Sequence, residues 1–282
     1  PACYQKTYRA QELSRKDVFS ILRQLKSAGC LFLGFTGGEI FCRKDALAIL
    51  FYAKKLGFQS IIYTNGSLID NTVACALEEI SPNKVDITIP GMSDRVFERI
   101  TGVIGSRDKV FSAIERLEKR KIALGFKTCL LKANKDEIPL IEEFARARGS
   151  WRLDSTISPC LNGSRRPFRY KVSARGMSVG GQKLATECAR LPHEQKDGAG
   201  TQSKIFRCGV GASQTAITPA GEMKLCVALD HPKLPILKDS FAFCWERTKQ
   251  LVDSLGSEDR RYRKADFKCC PVISGAVEVS RI

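Results

Sequence analysis

The tetrad Thr36-Gly37-Gly38-Glu39 closes a short apolar run that begins at Cys30. At the C-terminal end of a buried strand, paired glycines let backbone approach a ligand closely, and a carboxylate beside them can receive an ammonium group. The same four residues would serve a plain turn after a strand equally well, so their surroundings decide between the two uses.

Twelve cysteines are the second chemical resource. Their irregular spacing, with no signal-like N-terminus, fits reduced thiols and metal ligation better than a disulfide scaffold. His193 and His231 are the only histidines, so thiolates would carry any metal. Cys208 and Cys226 flank the turn Pro219-Ala220-Gly221-Glu222, where a hairpin would aim both sulfurs one way and make a clamp for a cluster or zinc. Cys30, Cys42, Cys75, Cys129, Cys160 and Cys188 lack partner spacing and read as small packing residues.

The elements that must position these groups follow a regular beat. Ser14-Arg15-Lys16-Asp17 reads as a capping box ahead of Val18, Ile21, Leu22 and Leu25, with Gly29 as the stop. The apolar run 30–36 is a strand buried on both faces. Helices over 45–56, 72–79, 108–119 and 137–148 then alternate with strands over 60–64, 85–89, 123–131 and 151–157. Strands joined by helical crossovers are parallel and right-handed. Because the rhythm opens on a helix, a further strand is expected upstream of Pro1.

The fold class is therefore α/β: a partial parallel (β/α)6 TIM-like barrel over 1–157, a linker over 158–206 with one weak helical patch at 180–189, and a small C-terminal α+β region over 207–282. Strands around 216–218 and up to Cys226 form its hairpin.

A net charge of +16 invites a nucleic-acid reading. The basic residues are dispersed and are not interleaved with stacking aromatics, so that class ranks last. No window reaches the roughly 18 apolar residues of a membrane span, which makes a soluble, cytoplasmic protein the expectation.

The ordered series of segments resembles the radical S-adenosylmethionine superfamily. Leu33 to Glu39 with Phe41 and Arg43-Lys44-Asp45 is similar to its methionine-binding segment, Tyr63-Thr64-Asn65-Gly66 to its third-strand segment, and Asp86 to Gly91 to its fourth-strand segment, with Thr88 for the usual serine and Pro90 for a common acidic residue. Arg99 to Ser106, Asn134, Asp154 and Ser158-Pro159 extend the likeness, which covers about residues 3 to 170.

The resemblance implies that Thr36, Gly37, Gly38 and Glu39 hold the amino group of S-adenosylmethionine, that Thr88 meets its ribose, and that Asn134 belongs to the same cofactor site. It implies a [4Fe-4S] cluster on a CxxxCxxC motif, of which only Cys3-Tyr4 is present. The partner cysteines are expected just upstream of Pro1, or the chain is a relic without the cluster. The cysteine-bearing tail resembles the SPASM or twitch region of peptide-modifying members, although Phe267 stands where a CxxCP would place cysteine; since adjacent cysteines seldom ligate one cluster together, the resemblance implies at most one auxiliary cluster, on Cys208, Cys226 and one of Cys269 or Cys270.

The function so implied is reductive cleavage of S-adenosylmethionine to a 5'-deoxyadenosyl radical that abstracts hydrogen from a peptide or protein with an acidic leader, fed by flavodoxin or ferredoxin. The alternative is a catalytically silent relative that binds a peptide or partner enzyme. No acid/base residue can be named from the sequence.

Overall fold

The computed structural model describes residues 11–154, 157, 165–172, 178–179, 182–183, 209–227 and 232–257. The capping box starts α1 (Arg15–Ser27) as its residues require: the Ser14 hydroxyl oxygen accepts from the Asp17 amide at 3.2 Å and its O–H donates to the Asp17 carboxylate at 2.6 Å. By packing, α1 groups with the C-terminal elements, and the strands that follow it form a separate compact unit.

That first unit is a five-stranded parallel sheet, an α/β partial barrel. Its strands are β1 (Phe32–Phe35), β2 (Gln59–Thr64), β3 (Lys84–Thr88), β4 (Leu124–Cys129) and β5 (Ser150–Asp154), and their order in space is their order in sequence. Helices α2 (Ala46–Lys55), α3 (Asn71–Ile80), α4 (Asp94–Thr101), α5 (Ser106–Lys119) and α6 (Ile138–Arg146) fill the crossovers. Leu50, Leu77, Ile114, Leu117 and Ile141 from the helices pack with Ile62, Val85, Ile87, Phe126 and Leu153 from the strands in one core.

The opposite face of the sheet is polar. Register places Tyr63, Asp86, Gly125 and Ser150 in one row and Thr88, Lys127 and Arg152 in the next toward the C-terminal rim, followed by Cys129 beside Asp154. The Lys84 ammonium lies 3.2 Å from the Asp86 carboxylate and donates to the Ser150 hydroxyl at 3.3 Å. It crosses β4 where Gly125 has no side chain, since a Cβ there would stand 2.6 Å from Lys84 Cδ.

Four elements depart from the sequence reading. The edge strand β1 is half-buried on one face and exposed on the other, with Phe32 70% exposed. Helix α4 is added between β3 and α5. Where a weak helical patch was expected over 180–189, β7 (Gln182–Lys183) pairs antiparallel with β6 (Ser178–Val179) just before it.

The second unit holds the expected hairpin, β8 (Ala216–Ile217) and β9 (Glu222–Lys224), extended by β10 (Leu234–Pro235), then α7 (Ile236–Asp239) and α8 (Phe241–Ser257). Cys244, Met223 and Leu225 are fully buried in it. The Gln24 side-chain oxygen caps α8 by accepting from the Phe241 amide at 2.7 Å.

Candidate functional site

Parallel strands joined by helices deliver their loops to one rim, and the tetrad 36–39 sits there at the end of β1. Glu39 follows the two glycines and caps the short 3-10 turn Ile40–Cys42. Its Oε1 accepts from the Thr64 hydroxyl at 2.7 Å and the Phe41 amide at 3.3 Å, and its Oε2 accepts from the Asn65 amide at 2.7 Å. A carboxylate has about four acceptor sites, so three donors fix its direction and leave capacity for one more. Among the described residues, a Cβ built at Gly37 in the turn beside it meets nothing within 4 Å.

The partner segment is built to make this grip. The buried Thr64 hydroxyl accepts from the Gly66 amide at 3.0 Å while donating to Glu39. Gly66 adopts φ +78, a left-handed conformation that favours glycine, and a Cβ there would stand 3.3 Å from Ile87 Cγ2. Asn65 Oδ1 accepts from the Ser67 amide at 2.8 Å and closes the turn.

Thr36 and Thr88 are exposed at the ends of β1 and β3. Asn134 is fully buried after β4, with Nδ2 donating to the carbonyls of Pro90 and Cys129, each at 2.9 Å, and Oδ1 accepting from the Leu131 amide at 2.8 Å. Its polar atoms are engaged with backbone. Sequence reasoning missed Thr64 and Asn65 as the residues that orient Glu39; the Tyr63-Thr64-Asn65-Gly66 motif was the available signal for both.

Cys3, Cys208, Cys269 and Cys270 lie outside the described residues. Cys226 is half-buried just past β9, and among the described residues no group of three or more His, Cys, Asp or Glu is placed to hold a metal ion. The fit of a cluster to this chain therefore rests on residues outside the described set. The fit of an ammonium to Glu39 rests on the geometry above.

Burial pushes the Cys129 thiol pKa up, against the lowering pull of Lys127 and Arg152 and with help from Asp154. A thiol raised in the folded state stabilises fully below the ordinary thiol range, and that contribution is lost as pH rises through the raised value. Cys129 is expected to react with iodoacetamide at mildly alkaline pH more slowly than exposed Cys42, as read by peptide mass mapping; equal rates would contradict this burial.

The sequence profile described as the Radical SAM superfamily matches residues 2–145. The Fe-coproporphyrin III synthase of Methanosarcina barkeri is 29% identical over 130 residues, which cover 46% of this chain and 32% of that protein. The PqqA peptide cyclase of Gluconobacter oxydans is 25% identical over 146 residues, covering 52% and 41%. The chain thus spans well under half the length of these curated relatives. Among solved structures, native anSMEcpe with bound AdoMet superposes with TM-score 0.70 at 15% identity, over 95% of this chain and 83% of that one. Streptococcus suis SuiB bound to S-adenosylmethionine gives TM-score 0.68 at 13% identity, over 98% and 68%. Identities this low show the fold alone. Among the described residues no helix is long and apolar enough to cross a membrane.

Proposed function

Because the chain belongs to the Radical SAM superfamily, we propose that it acts, whole or as part of a longer protein, as an enzyme that reductively cleaves S-adenosylmethionine at a [4Fe-4S] cluster and takes hydrogen from a peptide or protein during its maturation. The observation that carries this reading is Glu39, aimed by Thr64 and Asn65 beside the Gly37-Gly38 turn. In it, Thr36, Gly37, Gly38 and Glu39 hold the cofactor's amino group, Thr88 meets the ribose and Asn134 supports the site.

The cluster, when bound, supplies the single electron for the cleavage; Cys3 is its ligand from this chain. The barrel residues bind the cofactor, orient it and exclude water. The tail is read as a SPASM or twitch-like region, with Cys208, Cys226 and one of Cys269 or Cys270 holding one auxiliary cluster.

A peptide substrate is supported by relatives whose names speak of peptides, the PqqA peptide cyclases and SuiB bound to precursor peptide SuiA. The charge of +16 would suit an acidic leader. A cytoplasmic setting and a flavodoxin or ferredoxin donor belong to the same reading.

The test is anaerobic reconstitution with iron and sulfide, on this chain and on one carrying any segment its gene encodes upstream of Pro1. Bound iron, a paramagnetic signal that shifts on adding S-adenosylmethionine, and formation of 5'-deoxyadenosine are expected in at least one of the two. Iron-free protein that also fails to bind S-adenosylmethionine would leave the catalytic reading without support and favour a peptide- or partner-binding role.

A further inference from the structure

The turn after β4 grips the loop after β3 at successive points. Asn134 ties the carbonyl of Pro90, two residues past Thr88, to the carbonyl of Cys129 at the end of β4. Three residues on, Glu137 Oε2 accepts from the amides of Met92 at 2.6 Å and Ser93 at 3.2 Å, and its Oε1 accepts from the Ser93 hydroxyl. Ser93 in turn caps α4 through the Val96 amide at 3.3 Å, so the carboxylate also puts negative charge at that helix's N-terminus.

Gly91 is the residue that lets Glu137 come so close. A Cβ there would stand 3.1 Å from Glu137 Oε2 and 2.7 Å from Val96 Cγ1. From the other side, Arg107 Nε donates to the Met92 carbonyl at 2.5 Å, with its guanidinium stacked 4.4 Å from the Phe111 ring centroid. The segment from Pro90 to Ser93 is therefore held by polar contacts from the turn after β4 and from α5. Thr88 leads directly into it.

We infer that Asn134 and Glu137 are positioning residues for the nucleoside half of the cofactor, acting through the β3–α4 loop that begins directly after Thr88. The inference rests on the reading of Thr88 proposed above. Asn134 spends its polar atoms on backbone and Glu137 spends both carboxylate oxygens on the loop, which suits fixing a neighbour's geometry. Recognition of a ligand hydroxyl tolerates displacement of about 0.5 Å, and a loop held at these points meets that demand without rearranging.

The experiment measures dissociation constants of S-adenosylmethionine and of 5'-deoxyadenosine, which lacks the methionine half, by equilibrium dialysis on the full chain. Glu137→Ala is expected to weaken both about tenfold. Glu137→Gln can keep its oxygen on the Met92 and Ser93 amides and donate to the Ser93 hydroxyl, so it should stay within about threefold of the parent. Leu117→Ala, in the core of α5, is the stability control: it should lower the melting temperature while leaving both affinities in place, all measured where every variant is folded. Unchanged affinities in Glu137→Ala, or loss confined to S-adenosylmethionine, would overturn the inference. A parent chain that binds neither ligand would overturn the reading of Thr88 and this inference with it.

Discussion

Glu39→Gln is expected to weaken S-adenosylmethionine binding by roughly 10- to 100-fold, because a hydrogen bond to a charged group contributes about 1.5–3 kcal/mol and about 1.4 kcal/mol is a factor of ten. The swap removes the charge that would face the ammonium. It also spoils the grip that orients the side chain: an amide nitrogen in place of Oε2 faces the Asn65 N–H, and in place of Oε1 it faces the Phe41 N–H, donor against donor either way. Affinity for 5'-deoxyadenosine, which has no amino group to offer, should stay close to the parent's. Calorimetric titration of both ligands, with thermal melting to check the fold, decides the matter. An unchanged S-adenosylmethionine affinity would remove Glu39 from the site.

Phe126→Ala should be the most damaging core change. The ring is 1% exposed on the helix-facing side of β4, edge-on to Phe144 with centroids 5.9 Å apart. Truncations of this kind cost about 3–5 kcal/mol through lost burial and the cavity left behind. For a domain of about 150–250 residues, each kcal/mol shifts the melting temperature by roughly 2–4 °C, so a fall of roughly 6–20 °C is expected. The neighbouring Lys127→Ala points to the other face, where its pairing with Asp154 at 3.3 Å is part-exposed and contributes about 0–1 kcal/mol. Comparable melting of the two variants would contradict the assignment of the faces.

The strands β2 to β5 were legible because short apolar runs between helical patterns leave few alternatives, and the capping box at Ser14 named its own helix start. The tetrad 36–39 was legible as a turn at the end of a strand, yet the pairing of Glu39 with Thr64, 25 positions away, is a tertiary fact that no local pattern encodes. The continuous run 30–36 suggested burial on both faces, but register turns Gly34 toward the polar face with Ile61 and Lys84, and Phe32 is exposed beside it. Helix α4 stayed hidden because only Val96 and Phe97 of its eight residues are buried, too few to print a period. Asn134 was read as a cofactor residue from its place in the motif series, whereas its hydrogen bonds depend on where Pro90 lies in space.

The strictly sequential order β1-β2-β3-β4-β5 carries a consequence for how the barrel is made. Each strand finds its hydrogen-bonding neighbour one crossover back along the chain, and none waits for a later strand to be inserted between it and its predecessor. A polypeptide leaving the ribosome at about 5–20 residues per second can thus add one strand and helix at a time to a growing edge. On that route the tetrad at Glu39 acquires its orienting partners as soon as β2 and the turn after it have docked, before β4 and β5 exist.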